Sequence, residues 1–310
     1  MLMSNKKTIC LVALSVVLLS CLQACKHKNK PKVNTDSFMA GSANFLVDES
    51  LAPIIDEEAY VFKALYNKAK PHLLYKPENE LLNLLLNDSV TFAIMSRDLS
   101  AREAKIMTDH NLPPDVNKFA VDAITLIVNE ASADTLLTVA QVKKMLNSKE
   151  KTDINIVFDN PNSSLARYLK ELSGNYDLSG KNIYALKTNK EVINYVSQHK
   201  KAIGIIGFSW LNDPDADYAA AVNKVKIVGI KDENRKDDVG FTKPSQETLA
   251  LNQYPFIRSI YIVNCTGRQG LASGFAGFLL SDRGQRIVLK SGILPEHIPG
   301  REVNITQTIN

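Results

Sequence analysis

Ile154-Asn155-Ile156-Val157-Phe158 runs into Asp159-Asn160-Pro161-Asn162-Ser163-Ser164 and then into Leu165-Ala166-Arg167-Tyr168-Leu169. Branched and aromatic residues make the first segment a strand and the polar segment a turn. The spacing of Leu165, Tyr168 and Leu169 opens an amphipathic helix. A helix start leaves backbone N–H groups without intrahelical partners, and here amide and hydroxyl side chains surround them. That combination suits an anion at the end of a strand. An ordinary N-cap explains the same residues.

The same alternation continues along the chain. Asn44 to Asp48 is a predicted strand that enters Asp48-Glu49-Ser50-Leu51-Ala52-Pro53, where Ser50 and Pro53 suit a helix start. The helix is expected to reach about Lys70, with Ile54, Ile55, Phe62, Leu65 and Tyr66 on one face. A second helix is expected over Pro77–Asn87. Val90–Met95 is a strand ending at Ser96-Arg97-Asp98, and Ser100-Ala101-Arg102-Glu103 is a capping box for the next helix. Lys118–Asn129 is a strand long enough to run from one lobe into another. Thr138 caps a helix through Leu146. Further strands are expected at Asn182–Leu186, Ala202–Phe208, Lys224–Ile230 and Ser259–Val263, and helices at Asn189–His199, Gly270–Leu280 and Ser281–Lys290. This order predicts an α/β fold with mainly parallel pairing.

Lys6 and Lys7 precede an apolar run from Ile9 to about Leu22, too short for a span and suited to a secretory signal. Leu18-Leu19-Ser20-Cys21 and Leu22-Gln23-Ala24-Cys25 both match a bacterial lipobox. Cys25 is favoured because the charged sequence begins directly after it. Residues 1–25 then form a lipoprotein signal peptide with Cys25 as the lipid anchor, and residues 26–37 a basic tether. Without Lys6 and Lys7 the 37 Lys and Arg become 35 against 33 Asp and Glu, a balance that argues against nucleic acid as a partner. Cys10, Cys21 and Cys25 fall in the signal region, so Cys265 has no partner for an intramolecular disulfide. Metal-ligand spacings, phosphate-binding loops and hydrolase motifs are missing, and no His pairs with a Ser or Cys for catalysis. Neither a metal, a cofactor nor an enzymatic activity is expected.

Several stretches together resemble one family, the extracytoplasmic phosphate-binding proteins of bacterial ABC transporters, in the type 2 periplasmic-binding-protein class. They are Glu49–Pro53, Ala93–Ser100, Val121–Asn129, Asn160–Ser164, Ala202–Gly207, Tyr254–Ile262 and Phe278–Gln285, spread in the family's order from about residue 40 to 300. The resemblance implies a two-lobed α/β fold with a hinge and a ligand cleft between the lobes. Residues 38–127 and 255–310 would form lobe 1, and 128–254 lobe 2. It implies a monomer on the outside of a membrane, holding phosphate or a similar oxyanion for an ABC permease. The runner-up is the same fold binding another oxyanion or docking on a sensory receptor.

By position the resemblance implies ligand contacts at Ser50, Ser96 and the turn Asn162, Ser163 and Ser164. Two departures stand out. The family Arg four residues before that turn is replaced by Phe158, and the family Asp after the second strand by Ser96. That Asp accepts the proton of hydrogen phosphate, so oxyanion choice is left open. Arg97 is the candidate replacement cation, since its fork suits a tetrahedral oxyanion; a pair with Asp98 or Glu103 is its other reading. Glu49 or Glu78 would replace the acceptor.

Overall fold

The computed structural model describes residues 36–149 and 152–300. The expected signal segment, with Cys21 and Cys25, and residues 26–35 of the tether lie outside the described residues.

β1 (Ala40–Asp48) enters a short 3-10 turn, Glu49–Leu51, and then α1 (Ala52–Leu65). The side chain of Asp48, not Ser50, caps the turn by accepting the Ser50 N–H at 3.1 Å. The expected cap thus moves two residues back, and the Ser50 hydroxyl is not the capping group. α1 stops at Leu65, five residues short of expectation, because Lys68–Lys76 forms β2, paired parallel to β1. Pro71 is tolerated there because β2 is an edge strand. α2 (Glu78–Leu86), β3 (Phe92–Met95) and α3 (Ala101–Asp109) follow, and the Ser100–Glu103 capping box at α3 forms as expected.

β4 (Asp115–Asn129) is buried continuously from Phe119, a mainly apolar run interrupted by Asp122. β5 (Leu136–Thr138) leads into α4 (Val139–Asn147), capped by Thr138 with Gln141. β6 (Asn155–Phe158) and α5 (Ser164–Ser173) are the strand and helix of the opening stretch, and α5 ends on Gly174 at φ 70°. A left-handed residue there favours glycine, which has no Cβ to clash. β7 (Ile183–Ala185), α6 (Asn189–Gln198) and β8 (Ala202–Gly207) come next, then a 3-10 turn, Phe208–Leu211, and α7 (Ala219–Val222). The strand expected over Lys224–Ile230 is two, β9 (Val225–Ile227) beside β4 and β10 (Gly229–Lys231) beside β5. α8 (Gln246–Ala250), β11 (Ile257–Asn264), α9 (Leu271–Leu279), α10 (Asp282–Lys290) and β12 (Leu294–Pro295) complete the described chain.

The main sheet has the order β2-β1-β3-β11-β4-β8-β6-β7. Pairing is mixed rather than mainly parallel. β1, β2 and β3 are parallel, as are β6, β7 and β8, while β11 and β4 run antiparallel to their neighbours. Apolar patterning reveals burial but not direction, so the sequence did not betray the central antiparallel strands. β4 belongs to both halves of the sheet: as far as Ala123 it pairs with β11, and from Ile124 with β8. On one side Phe45, Phe62, Phe92 and Phe275 pack ring to ring, with Phe45 and Phe275 stacked at 5.2 Å. On the other, Ile127, Val157, Val192, Val196 and Ile206 pack beneath Trp210. Among the described residues no helix is long and apolar enough to cross a membrane.

Candidate functional site

The parallel strands deliver their ends to one place, the usual location of ligands in α/β sheets. Ser50 follows β1, Ser96 follows β3, Asp159 to Ser164 follow β6, and Gly207 closes β8. Ser50 Oγ and Ser164 Oγ, from helix starts 114 residues apart in sequence, lie 3.2 Å from one another. Arg258 Nη1 donates to both, at 2.8 Å and 3.2 Å.

Arg258 was not foreseen. It stands on β11 directly opposite Asp122 on β4. Its Nε and Nη2 donate to Asp122 Oδ2 at 3.1 Å and 2.7 Å. Arg258 is 6% exposed and Asp122 0%. A buried ion pair persists only where its remaining hydrogen-bonding capacity is used, and here the guanidinium spends its other amino group on the two serines. The pairing leaves no space beside it. A Cβ on Gly207 would sit 2.7 Å from Arg258 Nη2 and 3.1 Å from the Ser50 carbonyl oxygen, so only glycine allows this approach. The signal for both charges lay in the sequence, as one acidic and one basic residue interrupting two otherwise apolar strands.

Ser50 Oγ also donates to Asp48 Oδ1 at 2.9 Å, and the Trp210 indole N–H donates to the Ser50 carbonyl at 2.9 Å. Ser163 heads α5: its Oγ accepts the Ala166 N–H at 3.1 Å and contacts Asp159 Oδ1. Asn189 Nδ2 donates to Asp159 Oδ2 at 3.2 Å, while its Oδ1 accepts the Gly207 N–H at 3.2 Å. The N–H groups of Ser164 and Leu165 begin α5, directly beside the two hydroxyls. Burial pushes the Asp159 carboxyl up to about 8, with the Ser163 hydrogen bond opposing and Asp48 and Glu49 adding to the rise. Burial, Asp48 and Glu191 raise Glu49 in the same way. Next to this cluster a crevice of about 300 Å³ is lined by Glu49, Pro53, Thr188, Lys190 and Trp210.

The expected residues thus divide. Ser50 and Ser164 converge on Arg258, while Ser163 turns to Asp159 and the Ala166 N–H. Ser96 is buried and its hydroxyl has no hydrogen-bond partner among the described residues. Asn162 lies further out: its carbonyl accepts the Asn79 N–H at 3.2 Å, and its side chain meets that of Asn79 at 3.3 Å. Arg97, expected as the replacement cation, is a correction. Its two amino groups donate to Glu103 at 2.8 Å each, and Nη1 also donates to the Asp98 carbonyl at 2.7 Å. Hydrogen bonding to Arg97 holds the Glu103 carboxyl down at about 2, so the guanidinium is already matched by an ionised partner. Phe158 is core packing, and the guanidinium beside the turn is that of Arg258 on β11. Glu78 is committed on one oxygen, since Arg167 Nε donates to its Oε1 at 2.6 Å and Arg97 Nε lies 3.5 Å from the same oxygen, while its buried Oε2 has no partner among the described residues.

Comparison with known proteins agrees with this layout. The model of the PBP superfamily domain matches residues 33–283. The phosphate-binding protein PstS of Staphylococcus aureus (strain USA300) is 27% identical over 288 residues, covering 88% of this chain and 83% of that protein. A Clostridium perfringens structure with bound phosphate, described as a phosphate ABC transporter substrate-binding protein, superposes with a TM-score of 0.69 at 19% identity, covering 83% of this chain and 100% of that one. An ABC-type phosphate transport receptor from Vibrio cholerae superposes with a TM-score of 0.60 at 17% identity, covering 82% and 100%. The fold is the α/β fold of type 2 periplasmic binding proteins.

Proposed function

The chain belongs to the PBP superfamily, and we propose that it captures phosphate outside the cytoplasm and passes it to an ABC permease. The observation that carries this reading is the meeting of Ser50, Ser164 and Arg258 in one buried network. The Ser164 hydroxyl, the Nη1 amino group of Arg258 and the N–H groups heading α5 are donors a tetrahedral oxyanion needs, and the Ser50 hydroxyl joins them by turning from Asp48. The names of the Staphylococcus aureus, Clostridium perfringens and Vibrio cholerae proteins support phosphate as that oxyanion.

In this reading residues 38–127 with 255–310 form one lobe and 128–254 the other, and β4 and β11 form the hinge region. The change of partner along β4 supports the division. Phosphate enters by parting Ser50 from Ser164 and takes hydrogen bonds from both, with Ser96, Ser163 and Asn162 completing the wall. Closure over the ligand is the state the permease recognises, and no bond is made or broken. Asn162 and Arg167 on one side meet Asn79 and Glu78 on the other, a contact that favours closure. Cys25 carries the lipid that holds this monomer to the membrane. Cys25→Ser is expected to release the protein from membranes, and Cys21→Ser to leave it bound.

The test of function is calorimetric titration with phosphate and with sulfate, after unfolding and refolding have stripped any carried-over ligand. Micromolar or tighter phosphate binding with sulfate silent is expected. Folded protein that gives no heat with phosphate overturns the reading.

A further inference from the structure

Two carboxylate oxygens at the centre of the site accept no hydrogen bond. Asp48 Oδ2 and Asp122 Oδ1 are buried and lack any partner among the described residues. In each case the sister oxygen is committed. Asp48 Oδ1 holds the N–H and hydroxyl of Ser50, and Asp122 Oδ2 holds two nitrogens of Arg258. Arg258 and Ser50 are themselves joined at 2.8 Å, so both unpartnered oxygens belong to carboxylates one hydrogen bond from that contact. A buried acceptor without a donor costs about 1–3 kcal/mol, more when it is charged. The ligand is therefore expected to bring O–H groups.

Charge points the same way. One guanidinium faces two carboxylates before any ligand arrives. Sulfate would add two negative charges and no donor. Hydrogen phosphate adds two charges and one donor, while dihydrogen phosphate adds one charge and two donors.

We infer that the site takes its oxyanion singly charged and doubly protonated, with one O–H donated to Asp48 Oδ2 and the other to Asp122 Oδ1. Arg258, Ser50 and Ser164 then hold the two oxygens that carry no proton. The inference rests on the phosphate reading above and deepens it by fixing the protonation state and the two acceptors. It also accounts for the family Asp replaced by Ser96, since the acceptors here stand on β1 and β4.

Other titratable groups surround the site. Glu49 and Asp159 are raised as described, and Glu191 lies close enough to act on Glu49. Tyr168 and Tyr254 are pushed upward by burial and stay neutral. Asp159 gains charge as pH rises through about 8, which also weakens anion binding, so the test separates its contribution.

The experiment is calorimetric titration of the purified protein with inorganic phosphate from about pH 5.5 to 8.5, in paired buffers of different ionisation enthalpy. Wild type is expected to lose affinity about tenfold per pH unit once phosphate passes its second ionisation, and to take up close to one proton per phosphate at the alkaline end. Asp159→Asn is expected to keep both the slope and the proton uptake. Asp48→Asn, which keeps the turn's cap, is expected to flatten or reverse the slope. Methylphosphonate, with one O–H as its monoanion, is expected to bind at least about tenfold more weakly than phosphate, the worth of one lost charged hydrogen bond. Wild-type affinity that is flat or rises with pH overturns the assignment, as does a slope that vanishes in Asp159→Asn and survives in Asp48→Asn. Those outcomes leave phosphate binding standing, whereas folded protein silent to phosphate at every pH overturns both readings.

Discussion

Two ion-pair clusters reach α5, one through Arg258 to Ser164 and one through Glu78 to Arg167, and they differ in how far their cations are open to water. Around Arg258 the ion pair is sealed from water, with side chains 4% and 0% exposed, and it leaves acceptor oxygens of Asp48 and Asp122 without partners. Glu78 is itself 2% exposed with an unpartnered Oε2, but its cations Arg97 and Arg167 are 22% and 26% exposed, and the fork of Arg97 is taken up by Glu103. A pair open to water on its cationic side contributes less than a sealed one and forms or breaks more easily. A buried one with spare acceptors is costly unless something arrives to use them. On the proposed function, the difference amounts to a division of labour, in which the Arg258 cluster would recognise the ligand and the Glu78 bridge would help hold the closed arrangement.

Substitution at Arg258 should separate the two most sharply. Arg258→Ala is expected to abolish phosphate binding in calorimetry and to destabilise the fold by about 3–5 kcal/mol, because Asp122 is left buried without a counter-charge. Adding Asp122→Asn should recover most of the stability and none of the binding. If Arg258→Ala still binds phosphate as wild type does, the division fails.

A buried acid outside both contacts provides a control. Glu58 on α1 is fully buried, neither of its oxygens has a partner, and burial pushes its carboxyl up to about 10. It is protonated in the folded protein and ionised in the unfolded chain above its ordinary value of 4.5, so folding takes up a proton. Stability from this group is present at low pH and lost as pH rises from about 4.5 toward 10. Glu58→Gln should remove about 4 kcal/mol of the stability difference between pH 5 and pH 8, read from denaturant melts, and leave the pH dependence of phosphate affinity unchanged.

Smaller effects sharpen the contrast further. Gly207→Ala drives a methyl into Arg258, with an expected loss of about 1–3 kcal/mol in stability and a parallel weakening of phosphate binding. Arg167→Gln removes the closer of the two Glu78 contacts and should weaken binding by a few-fold at low salt, with less effect at high salt. A loss from Arg167→Gln as large as that from Arg258→Ala would erase the distinction between the two contacts.

The sequence pointed readily to the exposed contact and not to the buried one. Arg97 follows a strand and sits in a polar segment, where a cation draws notice. Arg258 and Asp122 each interrupt an apolar strand, and only the register that sets them face to face, 136 residues apart, makes them a pair. The strand–turn–helix of Ile154–Leu169, the capping box at Ser100 and the cap at Thr138 were legible because local chemistry determines them. β2 was not, because its alternating burial leaves few apolar residues in Lys68–Lys76 and the helical spacing of α1 runs on toward it. Ser50 was legible as a hydroxyl at a helix start, but its place beside Arg258 depends on Asp48 taking the cap.

The central claim is that phosphate binds where Ser50, Ser164 and Arg258 meet. Trp210 is the single tryptophan, and its indole N–H is bonded to the Ser50 carbonyl. Fluorescence titration with phosphate, run beside calorimetry on wild type and Ser164→Ala, tests the claim most directly. The account predicts a saturable change in Trp210 emission with the same midpoint as the heat, and loss of both in Ser164→Ala. Phosphate heat with unchanged Trp210 emission, undisturbed by Ser164→Ala, would place the anion elsewhere and contradict the account.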